Sequence, residues 1–153
     1  RAMAALVIAA PGVSAARLLA ALHGQCFVHA WPETEMAQLL GSPGASAFIA
    51  IKASLPTGFL IARQAADEAE IIVVGTCPEA RREGIARRLI EAASESLAAR
   101  AATRLFAEVA TGNLPARALH TGMGFREVGM RHGYYRRPDG KTEDAHVMMK
   151  DLP

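Results

Sequence analysis

The strongest constraint on the fold is a run of four β-branched residues, 71–74, that leads through a short break into a long amphipathic segment. Such a run predicts a strand that is buried on both faces. The segment that follows predicts a helix over residues 84–100, because its apolar residues recur at helical spacing and its charged residues lie elsewhere. The apolar stripe of this helix consists of Ile85, Leu89, Ala93 and Leu97.

The remaining pattern completes one α+β fold, a mixed sheet flanked by helices. Apolar spacing predicts helices over residues 14–27, with Ser14 as the N-cap, 33–40 and 114–121. Strands are predicted over residues 4–9, 47–51, 59–63, 105–109, 125–135 and 145–150, with Pro56 and Gly58 in the turn between the second and third. The 153 residues contain no linker or repeat, so a single domain over residues 1–153 is expected.

Composition excludes several classes of function. The hydrophobic fraction of 51% and the charged fraction of 21% are typical of a globular domain and argue against disorder. A formal net charge of +2 is too small to indicate nucleic-acid binding, and no apolar stretch is long enough to predict a membrane span. Residues 1–10 weakly imitate a signal peptide, but a strand that ends before Pro11 is the simpler interpretation.

Cysteine and histidine spacing predicts neither a metal site nor a disulfide framework. Cys26 and Cys77 form no CxxC pair, and the 5 histidines show no ligand spacing. A reducing, cytoplasmic location is therefore expected.

Residues 78–88, which join the predicted buried strand to the long helix, have the features of an anion site. The first N–H groups of a helix have no partner within the helix, and the helix dipole adds partial positive charge there. Gly84 and Ala86 would let a phosphate approach the backbone, and the flanking arginines add charge. The segment lacks the lysine-serine/threonine ending of a nucleoside-triphosphate P-loop and the double-glycine opening of a dinucleotide-binding fold. An ordinary basic helix start with a packing glycine fits the same residues, so composition leaves both interpretations open.

The residues Arg81-Arg82-Glu83-Gly84-Ile85-Ala86 resemble the R/Q-x-x-G-x-G/A signature of the GNAT superfamily of acetyl-CoA-dependent N-acetyltransferases. Over about residues 58–150 the chain is similar to the RimI type of that superfamily, the ribosomal-protein-alanine N-acetyltransferases. The resemblance implies a mostly antiparallel central sheet and acetyl-CoA as the acetyl donor. The other residues that carry this similarity are Ala107-Glu108-Val109, Asn113, Ala118-Leu119, Gly124-Phe125, residues 131–135, and Glu143-Asp144-Ala145 with Met148.

The resemblance also implies which residues contact the cofactor. Backbone groups of Val74, Gly75 and Thr76 are expected along the acetyl-pantetheine arm, and Asn113 is expected to contact the cofactor farther along. Thr76 stands where the family more often has valine, a departure that a backbone role tolerates. The pyrophosphate is expected on Arg82, Glu83, Gly84, Ile85, Ala86 and Arg87.

Glu108 is the candidate general base. It lies in an alternating strand, on the face opposite Ala107 and Val109. From the pattern alone it is either a solvated strand glutamate or a carboxylate in a cavity. The resemblance implies that it takes a proton from the acceptor amine.

His120 stands where the family usually has a tyrosine that protonates the leaving thiolate. A histidine can donate a proton, although with an unperturbed pKa of about 6.5 only about a quarter is charged at pH 7. A histidine that only packs or caps the helix fits equally well, and Tyr134, Tyr135 or water can take the acid role. The resemblance places Tyr134, Tyr135 and Asp144 on the acceptor side, and Trp31 is a candidate for the same groove.

The expected function is transfer of acetyl to the N-terminal α-amine of a protein, by direct attack of that amine. The resemblance implies the N-terminal alanine of a small-subunit ribosomal protein as acceptor. A small amine or a lysine side chain is the alternative acceptor, and a module that binds acetyl-CoA without turnover is the alternative function. Cys77 abuts the loop and suggests a covalent acetyl intermediate, but no histidine–cysteine pairing is evident, so direct transfer is preferred.

Overall fold

A computed structural model describes residues 6–9 and 12–153. The order of elements is the predicted one, β-α-α-β-β-β-α-β-α-β-β, with short 3₁₀ turns before the first and third helices. The helices are α1 (Ala16–Cys26), α2 (Glu33–Leu40), α3 (Ile85–Ala99) and α4 (Leu114–Gly122). The strands are β1 (Leu6–Ala9), β2 (Ala45–Lys52), β3 (Leu55–Ala65), β4 (Glu68–Thr76), β5 (Arg104–Ala110), β6 (Arg126–Arg136) and β7 (Thr142–Asp151).

The strands form one sheet of 7 strands in the order β1-β2-β3-β4-β5-β7-β6. All neighbours are antiparallel except β4 and β5, which are parallel. The predicted mixed, mostly antiparallel sheet flanked by helices is confirmed. The single parallel pair follows from the α3 crossover, since parallel strands need a long connection while hairpins suffice elsewhere.

Two apolar cores lie on opposite faces of this sheet because side chains alternate along each strand. On β2, Phe48 and Ala50 pack into the core that contains α3. Ala47 and Ile49 pack into the core that contains α1 and α2. Helix α4 packs against the α3 core. The predicted stripe of α3 is confirmed, since its four residues are at most 3% exposed: Ile85, Leu89, Ala93 and Leu97.

Two local predictions are wrong, and a third lies partly outside the described residues. The turn between β2 and β3 lies at Ala53 and Ser54, which both have positive φ, while Pro56 and Gly58 lie inside β3. Two consecutive residues in the left-handed conformation suit a tight hairpin. An alanine–serine pair does not predict this conformation from sequence. Ser14 lies within a 3₁₀ turn, and Ala15 is the N-cap of α1, without a side-chain hydrogen bond. Of the strand predicted over residues 4–9, positions 4 and 5 lie outside the described residues.

The parallel pair β4–β5 separates after three residue pairs. Pairing runs only from Glu68 opposite Arg104 to Glu70 opposite Phe106. Strand β4 continues to Thr76, paired with β3 along its other edge. As predicted, residues 71–74 pack against cores on both faces of the sheet: Ile71 and Val74 contact the α3 core, and Ile72 and Val73 contact the α1–α2 core. Residues 72–74 are only half-buried, because β5 no longer runs beside them. From residue 71 onward, the edge of β4 that faces β5 pairs with no strand of residues 6–9 or 12–153, so its backbone groups are available to a ligand.

No helix in the described part of the chain is long and apolar enough to cross a membrane.

Candidate active site

A cavity of about 530 Å³ lies where β4 and β5 have separated. Its walls come from both faces of the sheet, since residues of α4 line it together with residues of α1 and of the segment that follows α1. The opening therefore passes through the sheet and connects the α3–α4 face to the α1–α2 face. The lining residues are His23, Phe27, Val28, His29, Trp31, Ile71, Ile72, Val73, Val74, Ala107, Glu108, Val109, Ala110, Asn113, Ala116, His120, Tyr135, Arg136 and Pro138.

Glu108 places a carboxylate in this opening. The alternation of β5 turns Ala107 and Val109 into the α3 core, so Glu108 points toward the α1–α2 face. Its side chain is 17% exposed, and its Oε1 lies 3.1 Å from Nε of Arg131. Its Oε2 is buried and has no hydrogen-bond partner among the described residues. A buried carboxylate oxygen without a partner is costly, which is typical of a site that acts on a ligand.

Two tyrosines of β6 surround this carboxylate. The Tyr135 hydroxyl donates a hydrogen bond of 2.9 Å to the backbone carbonyl of Glu108. Burial, followed by the neighbouring Tyr134 and the Glu108 carboxylate, raises the pKa of Tyr135 to about 12. Burial and then the Glu108 carboxylate also raise the pKa of Tyr134, whose ring lies 5.4 Å from the Arg131 guanidinium carbon. Both phenols therefore remain protonated at neutral pH.

His120 is a buried imidazole at the end of α4, 4% exposed. Its Nδ1 lies 2.7 Å from the Ala116 carbonyl, and because a carbonyl only accepts, Nδ1 carries a proton. Burial lowers the pKa of His120 below its usual value. The neutral ring thus has its one proton committed to Ala116 and a lone pair on Nε2.

An aromatic stack forms the wall on the α1–α2 face. The His23 ring stacks on Trp31 at 4.4 Å and on Phe27 at 4.6 Å between centroids. His23 Nδ1 accepts the backbone N–H of Trp31 at 3.2 Å, which fixes the loop that follows α1. Burial lowers the pKa of His23, so this stack is uncharged at neutral pH.

The loop before α3 has the geometry of an anion site. Gly84 is the N-cap of α3 with φ +80, and no side chain of a described residue caps this helix end. The first helical bond is donated by Arg88 to the Gly84 carbonyl at 3.1 Å, which leaves the N–H groups of residues 85–87 without helical acceptors. A Cβ built at Gly84 meets no atom of the described residues within 4 Å, so the space beside these amides is open. Open space, oriented amides and exposed arginines suit a phosphate group.

Three predicted cofactor residues also have structural partners. Glu83 forms an ion pair with Lys52 of β2. The Thr76 carbonyl accepts a 3.2 Å hydrogen bond from Arg81 Nε, which holds the loop against the end of β4. The side-chain oxygen Oδ1 of Asn113 caps α4 by accepting a hydrogen bond from the Ala116 N–H at 3.2 Å. The side-chain N–H₂ of Asn113 therefore remains available to a ligand.

The cysteines lie outside the cavity lining. Cys77 is 2% exposed, and its thiol donates to Oε1 of Gln25 at 3.2 Å. Burial raises the pKa of the Cys77 thiol. Burial, followed by the neighbouring Cys77 thiol, raises the pKa of Cys26 to about 12. Neither thiol is an activated nucleophile. Among the described residues, no group of three histidine, cysteine, aspartate or glutamate side chains is arranged to hold a metal ion.

The structure brings some of the predicted residues together in the cavity and leaves others at its margin. The cavity contains Glu108, His120, Val74, Asn113, Trp31 and Tyr135. The residues outside its lining are Gly75, Thr76, Tyr134 and the loop residues Arg82, Glu83, Gly84, Ile85, Ala86 and Arg87. Sequence reasoning missed the His23 stack and the pairing of Arg131 with Glu108, because both depend on side chains that only the folded sheet makes adjacent.

Comparison with known proteins identifies relatives of this arrangement. Residues 16–125 match the acetyltransferase (GNAT) family. The chain is 36% identical over 90 residues to the [ribosomal protein bS18]-alanine N-acetyltransferase of Escherichia coli strain K12, a match that covers 59% of this chain and 60% of that relative's length. The chain therefore matches less than two thirds of that relative.

Solved structures agree with this result. The crystal structure of the ribosomal-protein-S18-alanine N-acetyltransferase from Escherichia coli superposes with a TM-score of 0.89 at 26% identity, over 97% of this chain and 94% of that one. Arabidopsis thaliana NAA60 in complex with acetyl-CoA superposes with a TM-score of 0.82 at 18% identity, over 96% and 98% of the two chains. The second likeness concerns the fold.

Proposed function

Because the chain belongs to the acetyltransferase (GNAT) family, we propose that it transfers an acetyl group from acetyl-CoA to the N-terminal α-amine of a protein. The observation that carries this proposal is the Glu108 carboxylate in the opening through the sheet. Arg131 holds its Oε1, and its buried Oε2 has no hydrogen-bond partner in the part of the chain that the structure describes. An ammonium or amine N–H group is the partner that this oxygen lacks. Glu108 is accordingly the proposed general base.

The two faces of the sheet would receive the two reactants. The α3 loop and Asn113 lie on the α3–α4 face, where the residues fit acetyl-CoA: open amides for the pyrophosphate and the unpaired edge of β4, around Val74, Gly75 and Thr76, for the pantetheine arm. When bound, acetyl-CoA supplies a thioester that an amine can attack, with a thiolate as leaving group. Amides of β4 near the thioester carbonyl would stabilise charge that develops there.

The acceptor would approach from the α1–α2 face, toward which Glu108 points. Trp31 and Tyr135 line that part of the opening, and Tyr134 lies beside the Glu108 carboxylate. An amine entering there meets the carboxylate before it meets the unpaired edge of β4. The geometry favours direct attack over a covalent enzyme intermediate, because the buried thiol of Cys77 lies outside the cavity.

The energetics favour an α-amine as acceptor. Deprotonating an α-ammonium group with a pKa of about 8 costs about 1–1.5 kcal/mol at pH 7, whereas a lysine with a pKa of about 10.4 costs about 4–5 kcal/mol. One glutamate acting directly or through water can meet the first cost. The second would need further help, and Glu108 is the only carboxylate among the described residues that line the cavity.

The His120 imidazole can serve as the proposed general acid only in its charged form. Its neutral form has no proton on Nε2, and burial lowers its pKa, so the charged form is a small fraction at pH 7. A thiolate of pKa near 8.5 is a fair leaving group without help. The acid contribution of His120 is therefore proposed to be modest, and to increase as the pH falls.

The proposed acceptor follows from the named relative, which is a bS18-alanine N-acetyltransferase. We expect an N-terminal alanine of a small-subunit ribosomal protein to be the preferred substrate. This acceptor and acetyl-CoA would meet in the cytoplasm. No metal ion is required by the proposed steps.

A panel of short peptides tests this function. The peptides share one sequence and begin with alanine, serine, glycine or methionine, and a further peptide has a blocked N-terminus and one internal lysine. With acetyl-CoA, mass spectrometry is expected to show acetylation of the free N-termini, with alanine fastest. Acetylation of only the lysine peptide or of a polyamine would contradict the α-amine proposal. Saturable acetyl-CoA binding without any acetylated product would indicate a binding module instead.

A further inference from the structure

The structure points to a device that holds the base in place, an inference that rests on the proposed function. We propose that Arg131 is a positioning residue for Glu108, fixing Oε1 so that Oε2 faces the acceptor amine. The Arg131 guanidinium does not act on the reacting atoms in this proposal. It acts through the carboxylate.

The first support is the asymmetry of the carboxylate. Nε of Arg131 lies 3.1 Å from Oε1, while Oε2 is buried without a partner among the described residues. A carboxylate on a single flexible side chain can rotate and exchange its two oxygens. One charge-assisted contact removes that freedom and leaves a defined oxygen for the substrate.

The second support is an irregularity in β6 that delivers Arg131 to this position. Arg131 pairs with Ala145 of β7, and the next paired residue, Tyr135, lies opposite Glu143. Four steps along β6 thus match two steps along β7, so residues 132–134 bulge out of the ladder. Bulges of this kind redirect side chains, and here Arg131 reaches the Glu108 carboxylate.

The third support is that a single side chain pins the bulge. Oδ1 of Asp144 accepts the Gly133 N–H at 2.8 Å, and Oδ2 lies 3.1 Å from Nδ1 of His132. The Gly133 N–H and then His132 lower the pKa of Asp144, so this carboxylate is ionised over the working pH range. Gly133 itself has φ +62, a conformation that suits glycine. The position of Arg131 is therefore held by β7 as well as by its own strand.

The fourth support is the Tyr134 ring beneath Arg131. The guanidinium carbon lies 5.4 Å from the ring centroid, within range of a cation–π contact. Arg131 is 59% exposed, so the ion pair alone would be weak in water. The aromatic contact restricts the arginine to the orientation that reaches Glu108.

Arg131→Ala with added guanidinium ion is the test by activity. With an acceptor peptide that the wild type acetylates, kcat is expected to fall by about 10-fold or more, the scale of losing a hydrogen bond to a charged group, while the KM for acetyl-CoA is unchanged. Guanidinium ion at millimolar concentration is expected to restore part of kcat, because it can occupy the vacated place. Arg137→Ala is the matched control, since among the described residues the Arg137 guanidinium forms an ion pair only with the hairpin residue Asp139, at 3.5 Å. Its kcat should equal that of the wild type.

Asp144→Asn tests whether the placement of Arg131, and not only its presence, matters. This variant retains Arg131 but loses the charge that pins the bulge, so kcat should fall and guanidinium ion should not restore it. Wild-type kcat in Arg131→Ala, or an equal response of the two variants to guanidinium ion, would overturn the proposal.

An NMR measurement tests the same proposal without turnover. The ¹H–¹⁵N signal of Arg131 Nε is expected to move in Glu108→Gln and in Asp144→Asn, but not in Asp139→Asn. An Arg131 Nε signal whose chemical shift is unchanged in Glu108→Gln would overturn the positioning role. If the wild type acetylates no peptide while the Nε signal behaves as expected, the proposed function fails and the positioning inference stands.

Discussion

Gly58 allows α3 to pack closely enough on the sheet to present its N-terminus beside the opening. Gly58 lies opposite Thr76 in the β3–β4 pair. A Cβ added there would lie 2.8 Å from the Gly75 carbonyl oxygen, 3.0 Å from Ile85 Cγ2 and 3.4 Å from Leu89 Cδ1. The nearest of these atoms is backbone, which cannot rotate away. Gly58→Ala must therefore shift either β4 or the first turn of α3.

The size of this effect can be estimated from two opposing terms. Overpacking a tight site costs about 1–3 kcal/mol. Replacing glycine by alanine restricts the unfolded chain and returns about 0.4–1 kcal/mol. The net expected loss is about 1–2 kcal/mol, which lowers the Tm of a chain of this size by roughly 2–8 °C. Since both elements that would shift belong to the proposed cofactor site, the KM for acetyl-CoA should rise at the same time.

Thermal unfolding and acetyl-CoA titration of Gly58→Ala measure both effects. The matched control is Gly122→Ala in the last turn of α4, where an added Cβ meets nothing within 4 Å. That change should be neutral or stabilising by up to about 1 kcal/mol, because alanine has the higher helix propensity. A Gly58→Ala protein with wild-type Tm and wild-type acetyl-CoA affinity would refute the close-packing argument.

Two further predictions concern α4. Because burial lowers the pKa of His120 in the folded state, its stabilising contribution is complete above the unfolded value of about 6.5 and is lost as the pH falls toward the folded value. Urea unfolding should therefore show a smaller loss of stability between pH 7.5 and pH 5.5 in His120→Gln than in the wild type, and an equal loss would contradict the depressed pKa. Asn113→Ala should lose about 1 kcal/mol through the missing cap on Ala116, whereas Asn113→Asp should keep the cap and lose only acetyl-CoA affinity. Unchanged affinity in Asn113→Asp would remove the amide from the proposed cofactor site.

Much of the fold could be predicted from the sequence because local periodicity and burial agree. The spacing of Ile85, Leu89, Ala93 and Leu97 predicts both the helix and its buried face. The hairpin at Ala53 and Ser54 could not be predicted, because neither residue is a typical turn former and their positive φ values are set by the strands that they join. Pro56, which looked like a turn, is accommodated inside β3 next to an irregular pairing at Ala50 and Ile51.

The candidate site shows the same division. The loop before α3 could be predicted because its motif is contiguous. The alternation of β5 alone does not distinguish a solvated Glu108 from a carboxylate in a cavity, and only the family resemblance implies its role as base. The separation of β4 from β5 could not be predicted, because the sequence of residues 71–74 is that of an ordinary buried strand. The joint role of Arg131 and Asp144 could not be predicted either, because it depends on the β6 bulge, which is set by the register of β6 on β7.

The most direct test of the account is Glu108→Gln, which keeps the size of the side chain and removes its basicity. We expect acetyl-CoA to bind with wild-type affinity by calorimetry, because Glu108 points toward the opposite face from the cofactor loop. Acetyl transfer to the alanine peptide should fall by about 10²-fold or more, the scale of losing a general base. Transfer at the wild-type rate across the pH range would contradict the account.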